Sequence, residues 1–208
     1  MIPVNSVKLI SVTPDAEKTI LFCARVSSDQ ENMDSKLLGY LLRNRHWSPF
    51  EMAHMVLEIT TSRAIAAQIL RHRSFSFQEF SQRYTSPESA FMFEARGVGT
   101  SNRQSSVDNL DKEVKDWWLD QQDFLFTQSF DLYEAALEKG IAREVARAVL
   151  PLSTATKLYM AGSVRSWIHY FDLRCDEHTQ LEHREIALEA RTIFNEQFPI
   201  IAEALNGQ

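Results

Sequence analysis

Residues 71–84 read RHRSFSFQEFSQRY, with three arginines, one histidine, one glutamate and three serines in fourteen positions. Arg71 and Arg73 are permanent cations with planar donor forks, and with His72 between them they can clamp a phosphate or pyrophosphate. Ser81 follows eight residues after Arg73, then Gln82 and Arg83. A hydroxyl, backbone N–H groups and a guanidinium in one turn make a second anion cradle. Glu79 lies between the two and would repel phosphate; its chemistry suits a sugar hydroxyl or an arginine held in place. A solvated basic turn with internal ion pairs is the plainer reading of any single arginine here. The grouping favours a site, because the rest of the chain is acidic, with a formal net charge of -6.

Other groups join this one. Arg143 and Arg147 are four apart, and Arg147 lies in the apolar turn VARAVLP, where an unpaired charge is costly. Arg165 and His169 share a helix face, and Arg174 follows shortly after. Arginines outnumber lysines more than two to one, a bias that suits bidentate recognition. His178, Glu182 and His183 form HxxxEH, which is not the HExxH zinc motif, so no metal is expected. Cys23 and Cys175 lack a CxxC partner; Cys23 sits in an apolar run, Cys175 in a loop, and two unpaired thiols in a reducing compartment are expected.

The elements that must position these residues follow from the pattern. Val4–Val12 and Val56–Thr61 read as strands, with helices opening at Pro14–Asp15 and over Asp34–Asn44. His46–Glu51 is a turn with Pro49 suited to a first helical position. Ser62 caps a helix through SRAIAAQILRHR that puts Gln68, Arg71 and His72 on one face. A loop is expected over 74–87, a short strand at Phe91–Glu94, and an irregular, flexible loop at 96–109. A long helix runs from Leu110 to Lys139, ended by Gly140; its stripe of Val114, Trp117, Trp118, Leu125, Leu132 and Ala136 reads as core or subunit packing. A short helix ending at Pro151, a strand at Thr154–Met160, a helix at Ser163–Asp172 and a last helix from an Asp176 cap to Phe198 complete the chain. The result is an α+β fold, a mixed sheet flanked by helices, in one domain spanning 1–208.

The acidic balance argues against general nucleic-acid binding. No apolar run reaches the roughly 20 residues that span a bilayer, and the N-terminus does not read as a signal peptide. A cytoplasmic protein without membrane attachment is expected.

The pattern Arg71-His72-Arg73, seven residues, Ser81 resembles the signature of the flavin-dependent thymidylate synthases. His46-Trp47-Ser48-Pro49-Phe50-Glu51, Gln68, Arg147 with Leu150-Pro151, Arg165-Ser166, and Leu173-Arg174-x-Asp176-x-x-His178-x-Gln180-x-Glu182 resemble further segments of that family. The resemblance covers about residues 46–185. It implies synthesis of dTMP from dUMP, with methylenetetrahydrofolate as one-carbon donor and NADPH as reductant through FAD. It also implies a homotetramer with active sites at subunit interfaces.

By the same resemblance, Ser48, Arg71, His72, Arg73, Glu79, Ser163, Val164, Arg165 and His169 would meet FAD. Gln68, Ile69, Leu70, Arg71, Glu79, Phe80, Ser81, Gln82, Arg83, Arg147 and Arg174 would line the dUMP pocket. Arg174 would favour ionisation of the uracil at N3, and His46 would lie near flavin and folate. Met52 stands where the family often has histidine, Gln78 replaces a frequent asparagine, and Ser163 and His169 stand where asparagines are common. The alternative from another class is a non-catalytic module that senses a mononucleotide through the same arginines.

Overall fold

The computed structural model describes residues 4–26, 36–99 and 106–206. In chain order its elements are β1 (Ser6–Val12), α1 (Ala16–Ala24), α2 (Lys36–Arg43), a 3-10 turn (Ser48–Glu51), β2 (His54–Ser62), α3 (Arg63–Ile69), β3 (Ser76–Glu79), β4 (Gly97–Val98), β5 (Ser106–Val107), α4 (Lys112–Glu138), α5 (Arg143–Ala146), a second 3-10 turn (Arg147–Val149), β6 (Ala155–Ser163), α6 (Val164–Arg174), α7 (Leu181–Gln197) and α8 (Pro199–Asn206). The expected helix start at Asp34 and the middle of the 96–109 loop lie outside the described residues.

Four strands form the main sheet in the order β1-β2-β6-β3. Every pairing is antiparallel, where a mixed sheet was expected. Alternation sets the two faces. Met55, Leu57 and Ile59 of β2 and Leu158 and Met160 of β6 point into the core and are buried. α3, α6 and α7 pack on that side. The opposite face carries His54, Glu58, Lys157, Tyr159, Ser76 and Gln78, with Tyr159 donating to Glu58 at 2.9 Å and Lys157 paired to it at 3.3 Å.

Both central strands end in a serine that starts a helix. Ser62 Oγ accepts the N–H of Ile65 at 3.3 Å and caps α3; Ser163 Oγ accepts that of Ser166 at 3.3 Å and caps α6. Because β2 and β6 run antiparallel, the two helices begin at opposite ends of the sheet. Trp167 of α6 is fully buried and donates to the Met55 carbonyl at 3.1 Å, fastening α6 to β2.

Three expected elements need correction. The loop over 74–87 contains β3, which pairs with β6 from Ser76 opposite Ala161 to Glu79 opposite Leu158. Phe91–Glu94 is not a strand: the Gln122 side-chain amide satisfies Phe93, accepting from its N–H at 2.9 Å and donating to its carbonyl at 2.8 Å. Asp176 does not cap α7; it accepts from the His178 N–H at 2.8 Å in the preceding turn, and the last helix is two, broken before Pro199.

The long helix is present as α4, and Gly140 follows it at φ 83, a conformation that favours glycine. Its stripe is not core of this chain. Trp117 is 57% and Leu132 56% exposed, and Tyr133 is the helix's buried residue.

Candidate functional site

α3 and α6 bring their C-terminal ends together. His72, just past α3, accepts a hydrogen bond at its Nε2 from Arg174 Nε–H at 3.0 Å. That leaves the terminal nitrogens of Arg174 without a protein partner among the described residues. Arg174 sits in the last turn of α6, where a cation suits the helix dipole. Burial, with the Arg174 charge second, lowers the His72 pKa to about 4, so the imidazole is neutral and can accept. His72 also meets the Tyr170 ring edge-on, with centroids 4.9 Å apart. The imidazole is thus packed against Arg174 and Tyr170.

Behind this pair lies a second imidazole. His183, in the first turn of α7, bonds Tyr170 Oη at 3.1 Å and Gln68 Oε1 at 3.2 Å. Burial first, then the Arg174 charge, lowers its pKa to about 3. Gln68 in turn donates to Gln180 at 2.7 Å.

A separate set surrounds Glu79. Its carboxylate pairs with Arg63 at 3.0 Å and accepts from Thr156 Oγ1 at 2.9 Å, while Arg63 also donates to the Phe80 carbonyl at 2.8 Å. The arginine held by Glu79 is therefore Arg63, at the start of α3, and not one of the 71–84 group. Beyond Phe80 the chain turns at Ser81, whose carbonyl accepts from Tyr84 N–H at 3.1 Å and whose Oγ accepts from Arg83 N–H at 3.4 Å. Arg83 reaches Glu144 of α5 at 3.2 Å, three residues before Arg147. Arg71, Arg73 and Arg147 make no side-chain ion pair among the described residues, so their charges are available to an anion. Gln82 is buried, and Ile69 is wholly in the core; Leu70 is 38% exposed. Among the described residues no hydrogen bond or ion pair joins the Arg174 set to the Arg83–Arg147 set.

The N-terminus of α6 opens on a cleft of about 550 Å³ lined by Glu51, His54, Ser74, Ser163, Arg165 and His169. Arg165 is paired with Glu51. Ser166 Oγ donates to the Ser74 carbonyl at 3.1 Å, tying the loop after Arg73 to this helix end. Helix N–H groups, hydroxyls and a guanidinium around one cleft are a donor set for a phosphate or pyrophosphate. Val164 contributes nothing to it by side chain: it is fully buried, and its N–H donates to the Ala53 carbonyl at 2.9 Å. His169 also borders a neighbouring cleft of about 510 Å³ with Arg43, Arg45 and Trp47, its ring edge-on to Trp47 at 4.6 Å. His46 and Ser48 lie exposed beside it.

His178 lies before α7 and pairs with Asp176 at 2.7 Å, while His183 is buried, so HxxxEH does not converge. Among the described residues no group of three or more His, Cys, Asp or Glu side chains could hold a metal ion, and no helix is long and apolar enough to cross a membrane. Both cysteines are free, and burial pushes the Cys175 thiol up, away from the reactive thiolate. Sequence reasoning missed Arg63, Tyr170 and Glu51. A cation opening an otherwise apolar helix, SRAIAAQIL, was the available signal for Arg63.

Known proteins share both the sequence and this architecture. The family model described as thymidylate synthase complementing protein matches residues 8–200. A flavin-dependent thymidylate synthase of Synechocystis sp. is 58% identical over 191 residues, covering 91% of this chain and 89% of its own. A probable flavin-dependent thymidylate synthase of Paramecium bursaria Chlorella virus 1 is 49% identical over 213 residues, covering 97% and 99%. The crystal structure of a UMP/dUMP methylase, PolB from Streptomyces cacaoi, bound with 5-Br dUMP, superposes with a TM-score of 0.89 at 26% identity, covering 99% of this chain and 96% of that one. With the motif residues of both helix ends and both clefts inside the matched span, this chain belongs to the flavin-dependent thymidylate synthase family.

Proposed function

We propose that this protein methylates dUMP to dTMP, with methylenetetrahydrofolate as the one-carbon donor and NADPH as the reductant by way of FAD. It works in the cytoplasm as a homotetramer of single-domain subunits. The observation that carries the reading is Arg174, held at Nε by a neutral His72 and with no partner for its remaining fork among the described residues, near Arg71 and Arg73, which likewise make no ion pair among them. A guanidinium so held stabilises negative charge on a uracil ring deprotonated at N3, an effect on the order of 3 kcal/mol. Electron density at C5 rises without a protein nucleophile, which agrees with a Cys175 thiol kept protonated by burial.

Ser81, Arg83 and Arg147 hold the phosphate of the nucleotide. The donors around the N-terminus of α6, namely Ser163, Arg165 and the loop at Ser74, fit the pyrophosphate of FAD. When bound, FAD supplies the hydride chemistry; the chain's own part is to orient the nucleotide and exclude water. His169 and Trp47 border the space for the flavin ring, with His46 toward the folate. The fold similarity to a methylase crystallised with a dUMP analogue supports the substrate.

The test is the flavin spectrum of the purified protein before and after NADPH and dUMP. A yellow protein that NADPH bleaches, and that forms dTMP once methylenetetrahydrofolate is added, is the expected result. The Cys23→Ala/Cys175→Ala variant should retain that turnover. A colourless protein that binds dUMP but takes up no FAD would instead be the nucleotide-sensing module.

A further inference from the structure

The buried pair Tyr170–His183 has no part in the chemistry above, yet it places two polar side chains at 1% and 0% exposure in the core. Buried polar groups are retained at a cost unless each finds a partner. Here each does, and the partners form a chain leading to Gln68. Arg96 donates to Glu182 Oε1 at 2.6 Å, and Gln180 Nε2 to Glu182 Oε2 at 2.9 Å. Gln68 Nε2 donates to Gln180 Oε1 at 2.7 Å, His183 Nδ1 meets Gln68 Oε1 at 3.2 Å, and Tyr170 Oη meets His183 Nε2 at 3.1 Å.

The carboxylate at one end fixes every donor. An ionised Glu182, paired with Arg96, can only accept. Gln180 must therefore turn its amide nitrogen to Glu182 and its oxygen to Gln68. Gln68 must turn its nitrogen to Gln180 and its oxygen to His183. His183 must carry its proton on Nδ1, which leaves Nε2 to accept from the Tyr170 hydroxyl. Reversing Gln68 alone would set two donors against each other at the His183 end and two acceptors at the Gln180 end. The amide thus has a single orientation, with one N–H and one oxygen lone pair left over.

We propose that Tyr170 and His183 are positioning residues for the nucleotide site: together with Gln180 and Glu182 they lock the Gln68 amide in one orientation, presenting its spare donor and acceptor to the bound pyrimidine nucleotide. This rests on the reading that Gln68 lines the dUMP pocket. A lock of this kind acts on ground-state binding more than on the chemical step.

The test is steady-state kinetics of the FAD-loaded protein with dUMP varied. In His183→Leu the KM for dUMP should rise about 5–10-fold, as for one lost neutral hydrogen bond, with kcat changed by less than about twofold. In a Gln68→Ala background the same substitution should add nothing, because its effect passes through Gln68. An unchanged KM, or effects that multiply in the double variant, overturns the proposal. Should His183→Leu fail to fold, Tyr170→Phe removes a single oxygen and is read in the same cycle, with a rise of about two- to threefold expected. Neutron crystallography of the wild-type protein reads the lock without any activity, by hydrogen on His183 Nδ1 and none on Nε2. The opposite tautomer, or a doubly protonated ring, overturns it. A wild-type protein inactive on dUMP would instead sink the functional reading and leave the tautomer to decide the lock.

Discussion

His72 and His183 are the residues whose ionisation this fold resists most. His72 faces Arg174, Tyr170 and His183; His183 faces Tyr170, Gln68 and His72. Their pKa values fall from the ordinary 6.5 to about 4 and about 3, first through burial and then through the Arg174 charge. Well above pH 6.5 both rings are neutral folded and unfolded, and they add no pH dependence. Below it the unfolded chain takes up protons that the folded one refuses, so stability falls as pH falls, levelling only below the folded values. Urea unfolding should show a lower midpoint at pH 5 than at pH 7, and His72→Asn should flatten that difference. An equal pH dependence in wild type and variant would contradict the assignment. The arginine chemistry of these sites was legible because grouped guanidinium side chains in an acidic chain stand out by type alone. Tyr170, His183 and Arg63 were not, because each takes its meaning from a partner brought up by folding, such as Gln68, 115 positions from His183.

The elements carry the site by their ends, and one glycine sets how closely two of them approach. A Cβ on Gly162 of β6 would lie 2.4 Å from the Phe75 ring, so Phe75 packs over the strand only because no side chain is there. Phe75 follows Arg73 by two residues, and the intervening Ser74 carbonyl accepts from Ser166. Gly162→Ala should push Phe75 and with it the arginine loop, destabilising by about 1–3 kcal/mol. Its signature is a lower melting temperature together with weaker FAD retention; a variant with wild-type values for both would show the contact to be slack. The serine caps of α3 and α6 were readable in sequence, since Ser62 and Ser163 each stand between a β-branched or alternating run and an apolar helical one. β3 was not read, although Ser74–Gln78 alternates with period two, because its charged flanks resembled a loop. The Phe91–Glu94 reading failed for a different reason: a glutamine side chain, not a neighbouring strand, satisfies Phe93.

At the scale of the molecule, two facts point outward. Nothing among the described residues joins the Arg174 set to the Arg83–Arg147 set, and α4 presents exposed apolar side chains that no described residue covers. α4 has 27 residues, about 40 Å of helix, and Trp117, Phe124, Leu125 and Leu132 are 57%, 64%, 56% and 56% exposed. Large apolar side chains this exposed along one flank of a helix suit an association face, and a stable interface buries roughly 1,200 Å² or more. In the proposed homotetramer a second subunit against α4 would account for the stripe, and it would complete a nucleotide site whose phosphate-holding and pyrimidine-holding sets come from different protomers. Charges introduced at these exposed positions leave the core alone. Trp117→Asp/Leu125→Asp should therefore keep the wild-type circular dichroism but lower the mass measured by sedimentation from a tetramer toward a monomer, and dUMP turnover should fall with the mass. A variant that stays tetrameric would remove α4 from the interface, and a monomer that still makes dTMP would show each chain to hold a whole active site.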